Sequence, residues 1–182
     1  MSTLSKFRAA GVALAVMVYA FDQWLKHYVV DTLGLTEIGD HYPLLGFFDF
    51  TRTNNYGVSL GLFEATSEEM RWGLVIVTAL IALVVLVWML RETRAWDIAA
   101  LGLIMGGAMG NIRDRVEFGY VVDFLDFHIG EFRPFLIFNI ADAAITVGVV
   151  IILARALFMR EKPDSALDGE TTDSVPGETD NA

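Results

Sequence analysis

The chain has 182 residues, of which 54% are hydrophobic and only 20% charged, and its mean hydropathy of +0.49 is too high for an ordinary water-soluble domain. Its formal charge of −10 comes mostly from one stretch: residues 163–182 hold Asp164, Asp168, Glu170, Asp173, Glu178 and Asp180 with no base, which leaves −4 for the rest. No basic stripe remains to bind nucleic acid. The absence of cysteine excludes disulfides, thiolate metal sites and cysteine nucleophiles; His27, His41 and His128 lack metal-motif spacing and none lies mid-span, so a haem-carrying bundle is not expected and no cofactor is assigned.

In chain order, Lys6 and Arg8 precede an apolar run from Ala9 to Phe21 that continues through Trp24 to Val30, interrupted by Asp22 and Lys26. The start imitates a secretory signal peptide, with Val18-Tyr19-Ala20 as a small-residue cleavage site. Asp22 and Lys26, however, stand at i,i+4 with the acid first, the order that supports a continuing helix, and more spans follow. Residues 9–29 are therefore expected to form the first membrane helix. Taken alone, the pair could also be a helix-end salt bridge with Lys26 snorkelling to the interface.

From Asp31 to Glu69, Gly34, Gly39, Pro43 and Gly46 break the apolar pattern, so this segment is expected outside the membrane. Leu44 to Thr53 reads as one strand, with Phe48, Phe50 and Arg52 on one face and Asp49, Thr51 and Thr53 on the other. Asn54-Asn55-Tyr56-Gly57 reads as a turn. There the Asn55 amide could both donate to and accept from a peptide backbone, and Gly57 would let that peptide approach; a plain hairpin corner fits equally well.

The second span, 70–90, carries no internal charge and is assigned a packing role. The third, 96–111, has Asp97 at its entrance and Gly102, Gly106 and Gly110 at four-residue intervals, a spacing that lets a neighbouring helix come into backbone contact. At its end Asn111, Asp114 and Arg115 share a face if the helix continues through them. Asp123 opens a strand-like return through Phe124-Leu125-Asp126-Phe127 and a Gly130 turn, leading to Asn139-Ile140-Ala141-Asp142 and a fourth span at 138–158. An acid one turn inside a span is costly and calls for a partner in the bundle interior.

Four spans place both termini on one side. Seven bases on the terminal face against six on the other leave the positive-inside signal almost silent. With Arg113 and Arg115 set aside as part of the polar cluster and the N-terminal pair weighted, the termini are expected in the cytoplasm. The domain organisation expected is one membrane unit, 1–162, and a disordered acidic cytoplasmic tail, 163–182.

Asp123 and Asp142 can converge at the outer rim of the bundle. Two adjacent carboxyl groups cannot both ionise cheaply, so one keeps a proton while the other stays anionic, and the pair can activate water and protonate a leaving amine with no covalent intermediate. Asn111, Arg115 and Asn139 would position a peptide and steady charge developing on its carbonyl.

The residues resemble a known family, the lipoprotein signal peptidases, or signal peptidase II, of bacterial inner membranes. Asp22-Gln23-Trp24-Leu25-Lys26, Asn55-Tyr56-Gly57-Val58-Ser59, Gly106-Gly107-Ala108-Met109-Gly110-Asn111 through Asp114-Arg115, Val122-Asp123-Phe124 and Phe138-Asn139-Ile140-Ala141-Asp142 look like its five motifs, in order. The resemblance implies an all-α membrane protein, a bundle of four transmembrane helices with a small periplasmic β-cradle. It implies an aspartic endopeptidase, without metal, that cleaves prolipoproteins just before the diacylglyceryl-modified cysteine. Asp123 and Asp142 are then the catalytic dyad; Asn55, Gly57, Asn111, Asp114, Arg115, Asn139 and Ala141 surround it, and Asp22 and Lys26 support it from the first helix. Partners would be the lipid-modified substrates and membrane lipids, and one chain supplies every catalytic part, so a monomer suffices. Ser59 and Leu60 depart from the Ala and Phe the family most often carries there.

A different class, a small ion or proton conduit using Asp22, Asp114, Asp123 and Asp142 as a relay, would need ionisable groups through the whole membrane thickness, whereas these gather at one edge. A structural four-helix scaffold leaves the aspartate pair unexplained. The acidic tail lies beyond the resemblance and is expected to carry no catalytic role: a chain ending at Lys162 should keep full activity, and a large loss in a cleavage assay would contradict this.

Overall fold

A computed structural model describes residues 2–57 and 67–158; Ser59, Leu60 and the acidic tail lie outside them. The elements are α1 (Thr3–His27), ending in a π-helical turn at Tyr28–Thr32, β1 (His41–Leu45), β2 (Phe48–Asn55), α2 (Glu68–Arg91), α3 (Ala95–Glu117), β3 (Val121–Phe127) and α4 (Ile140–Phe158). All four α-helices are long and apolar enough to cross a membrane. The shortest, α4, has 19 residues and rises about 28 Å, close to the ~30 Å of a hydrocarbon core.

Local chemistry fixes the helix ends. The Ser2 and Ser67 hydroxyls accept from the backbone N–H groups of Ser5 and Met70, and Glu68 and Glu69 follow Ser67 in the first turn of α2, where the helix dipole favours negative charge. Between α2 and α3 the Glu92 carboxylate accepts from the N–H groups of Thr93 and Arg94, while Arg8 of α1 donates to the Glu92 carbonyl.

Every other helix packs on α3. Its glycines set the closeness: a Cβ at Gly102 would lie 2.6 Å from the Gly11 carbonyl oxygen of α1, one at Gly106 2.5 Å from that of Ala15, and one at Gly107 would overlap the Ala141 carbonyl of α4. Apolar lipid gives helices no hydrophobic reason to associate, so backbone-to-backbone packing of this kind is the available source of cohesion.

The three strands form one antiparallel sheet in the order β1-β2-β3. Its strand β3 contributes Val122, Phe124 and Leu125 to one buried cluster with Val29 and Leu35, in and just after the π-helical turn. The β2–β3 register places Thr53 opposite Asp123 and Asn55 opposite Val121.

Two expectations need correction. Leu44–Thr53 is not one strand but parts of β1 and β2 joined at Gly46-Phe47; Gly46 alone marks that corner, between the apolar pairs Leu44-Leu45 and Phe47-Phe48. Asn54 and Asn55 are not a turn but the end of β2, paired with Val122 and Val121. The bend comes at Gly57, whose N–H donates to the Asn55 side chain at 3.1 Å, and Gly57 is not among the glycines at positive φ, which are Gly34, Gly39, Gly119 and Gly130. Past residue 111, α3 does continue through Asn111, Asp114 and Arg115 on to Glu117, and there Arg71 of α2, beyond a pure packing role, donates to the carbonyls of Arg115 (2.8 Å) and Val116 (2.6 Å) in its last turn.

Gly107→Val should destabilise the bundle by at least the ~1–3 kcal/mol typical of overpacking, read as a lower thermal midpoint in detergent. Gly73→Val is the control, since a Cβ at Gly73 of α2 meets nothing within 4 Å, and its midpoint should hardly move.

Candidate active site

The site lies where the C-terminal ends of α1 and α3 meet the N-terminal end of α4 and the sheet. Asp22 and Lys26 fall one turn apart on α1, and the Lys26 ammonium stands 2.8 Å from Asp22 Oδ2 and 2.8 Å from Asp114 Oδ2 of α3. All three side chains are buried, so Lys26 does not snorkel. Gln23 completes the group: its amide donates to Asp22 Oδ2 and Asp114 Oδ1, both at 3.0 Å, and its carbonyl accepts from Arg113.

The same two carboxylates reach past the ammonium to the backbone. Asp114 Oδ2 accepts the N–H of Val122 at 3.1 Å, and Asp22 Oδ1 accepts that of Ala141 at 3.0 Å. Val122 precedes Asp123 and Ala141 precedes Asp142. One buried ion cluster thus fixes the main chain immediately before each candidate aspartate, although the two arrive on a strand and on a helix.

Two asparagines connect the aspartates. Asn139 caps α4: its Oδ1 accepts the N–H of Asp142 at 2.9 Å. Its Nδ2 donates to Asp123 Oδ1 at 2.6 Å and, at 3.2 Å, to Asn111 Oδ1, and Asn111 Nδ2 donates to Asp142 Oδ1 at 2.8 Å. The path from Asp123 through Asn139 and Asn111 to Asp142 is continuous. On the other edge, Asn55 Nδ2 donates to Asp123 Oδ2 at 3.1 Å. The amides of Asn111 and Asn139, expected to face a peptide, are therefore given to the two carboxylates. Arg115 donates to the Gly57 carbonyl at 2.6 Å, closing the end of β2 onto α3, while its buried Nε has no hydrogen-bond partner among the described residues.

Asp123 and Asp142 line one cavity of about 1030 Å³ together with Asn55, Gly57, Phe138 and Thr146. Burial and the neighbouring Asp142 charge push the Asp123 carboxyl up to about 7, against the lesser pull of the Asn55 hydrogen bond. Such a pair can hold a single proton near neutral pH.

All eleven residues expected at the site come together at this one end. Three contributors carried no expected role: Gln23 inside the first motif, Arg71 capping α3, and Arg133 in the cavity wall. Gln23 could have been suspected from its place between Asp22 and Lys26; the other two act on positions remote in sequence.

Lys26→Met would leave two buried carboxylates without their cation, which should cost about 3–5 kcal/mol, measurable as a fall in thermal midpoint in detergent. An unchanged midpoint would show that the cluster does not hold the site together.

Known proteins share both the sequence and the fold. Residues 14–158 match the family model for signal peptidase (SPase) II. The lipoprotein signal peptidase of Sphingopyxis alaskensis is 47% identical over 165 residues, covering 91% of this chain and 95% of the relative; that of Rhizorhabdus wittichii is 49% identical over 157 residues, covering 86% and 91%. A bacterial membrane enzyme solved by the in meso method at 2.3 Å superimposes with a TM-score of 0.71 at 30% identity, covering 91% of this chain and 95% of that one. The chain, a four-helix membrane peptidase with a small antiparallel sheet, belongs to the signal peptidase II family.

Proposed function

We propose that the protein is an aspartic endopeptidase that removes signal peptides from prolipoproteins, cutting on the N-terminal side of the diacylglyceryl-modified cysteine, with Asp123 and Asp142 as its dyad. The observation that carries the reading is the amide-linked pair of carboxyl groups in one cavity, Asp123 held by Asn55 and Asn139 and Asp142 by Asn111. In the reaction the anionic member takes a proton from a water held between the two, and the water oxygen attacks the scissile carbonyl carbon. The protonated member gives its proton to the carbonyl oxygen. The tetrahedral adduct collapses as the C–N bond breaks: one aspartic acid gives its proton to the departing nitrogen while the other carboxylate takes a proton from an adduct hydroxyl, leaving carboxyl and amine products and one proton again on the pair.

Lipid surroundings suit the cavity, whose wall continues down α4 through Ala143 and Val147. The site occupies one end of the bundle and Lys6 and Arg8 the other, which supports cytoplasmic termini in a bacterial inner membrane and chemistry at the outer face. Since a single chain supplies both carboxyl groups and all their donors, a monomer is sufficient. No Asp, Glu, Lys, Arg or His lies between residues 9 and 21 of α1, 72 and 90 of α2, 98 and 112 of α3 or 143 and 154 of α4, so nothing favours a proton or ion relay.

Asp123→Asn and Asp142→Asn should each abolish conversion of a prolipoprotein, followed by gel mobility, while the protein stays folded; continued processing by either would refute the dyad. Activity should also fall as pH rises through about 7, where Asp123 loses its proton. Asn55→Ala removes a hydrogen bond that favours the ionised form, so this alkaline limb should move to higher pH. A limb that moves down, or an activity flat across neutral pH, would contradict the assignment.

A further inference from the structure

Arg133 stands in the cavity wall, on the connection from β3 to α4, and is the one cation among the residues lining the cavity. Its Nε lies 3.0 Å from Asp126 Oδ1 and 3.2 Å from Oδ2, and its Nη2 3.2 Å from Oδ2. The Asp126 side chain is fully buried in β3 and accepts a further bond from the Thr51 hydroxyl at 2.9 Å. One edge of the guanidinium is thereby locked against the sheet, whereas the side chain as a whole remains 49% exposed. Its Nη1 has no partner among the described residues.

A surface ion pair that served only to tie down a loop would not need a buried acceptor. The cost of burying Asp126 is offset only if its partner is held in a fixed orientation, and a guanidinium fixed on one edge presents its remaining N–H groups in a defined direction. The polar groups at the aspartate end of the cavity are acids and amides committed to one another, so Arg133 is the strong donor left for a ligand. Lipid-modified substrates offer carbonyl oxygens of two kinds, in the peptide and in the acyl esters.

We propose that Arg133 is a substrate-binding residue whose free Nη1 edge donates to a carbonyl oxygen of the bound lipidated peptide while Asp126 holds the opposite edge. The proposal rests on the peptidase reading above, and its test uses binding so that the two can fail separately. In the Asp142→Asn background, the Kd of a diacylglyceryl-modified prolipoprotein peptide is measured with Arg133 intact, with Arg133→Gln and with Asp126→Asn. Arg133→Gln should weaken binding about tenfold, the size of one charge-assisted hydrogen bond. Asp126→Asn keeps the guanidinium and should cost less than about threefold. In a double variant, Asp126→Asn with Arg133→Gln leaves no buried carboxylate unpaired; compared with Asp126→Asn alone, it gives the same reading if Arg133→Gln by itself folds poorly. Repeating the measurement with ether-linked chains locates the acceptor: a tenfold effect that disappears assigns it to an ester, and one that persists assigns it to the peptide. Equal losses for Asp126→Asn and Arg133→Gln would show that Arg133 only anchors the loop and would overturn the proposal, as would unchanged binding in both. Cleavage by Asp142→Asn itself would sink the dyad and leave the binding comparison intact.

Discussion

The contact on which the site depends is the ammonium of Lys26 between the carboxylates of Asp22 and Asp114, 2.8 Å from each. Two buried acids so close would repel and lose hydration at heavy cost; one shared cation and the Gln23 amide allow both to stay in place. Once pinned, each carboxylate has an oxygen to spare for a backbone N–H, and the groups it finds are those of Val122 and Ala141. The cluster touches neither candidate catalytic side chain. It sets the main chain one residue upstream of both, which makes the spacing of the dyad a property of the bundle rather than of two loops.

That arrangement requires helices closer than ordinary side chains permit. A Cβ at Gly110 would stand 2.6 Å from Asp22 Oδ2, and one at Gly107 would overlap the Ala141 carbonyl. The glycine stripe of α3 thus serves cohesion along the membrane-spanning part and, in its last turn, makes room for the ion cluster itself. At the far end, the Arg155–Asp97 pair at 2.7 Å and the Arg8 bonds to the Glu92 carbonyl tie α4, α3 and α1 together again. The helices are clamped by polar contacts at both ends, with glycine packing between, so the relative position of α1, α3 and α4 that the dyad needs is fixed over their whole length.

Much of this was legible in the sequence because hydrocarbon makes charge expensive: Asp22, Lys26, Asp114 and Asp142 are conspicuous wherever an apolar run is read, and the family motifs supplied their order. The glycine spacing of α3 was readable for the same reason. What escaped notice depends on partners remote in sequence. Arg71 looks like an interfacial charge at the start of α2, and nothing local reveals that it caps α3 more than forty residues later. Arg133 resembles any loop base until β3 is seen to bury Asp126 beneath it. The β1–β2 corner was marked only by Gly46, with Leu44-Leu45 before it and Phe47-Phe48 after it, and periodicity registers a change of direction only when the pattern changes with it.

The two aspartates also differ in a way that follows from their elements. Asp123 sits on β3, at one edge of the sheet, opposite Thr53 and almost fully buried, with a hydrogen bond on each carboxyl oxygen. Asp142 stands in the first turn of α4, half-buried, where the helix N-terminus favours negative charge. Burial and the neighbouring Asp142 charge both disfavour the anion at Asp123, the condition under which two carboxyl groups come to share one proton. The strand residue is gripped by the Asn55 and Asn139 amides, one on each carboxyl oxygen, and the helix-start residue by the Asn111 amide and the Asn139 backbone N–H. Joining a strand residue to a helix-start residue at the rim of the bundle sets two carboxyl groups beside one cavity without any charge being carried deep into the hydrocarbon.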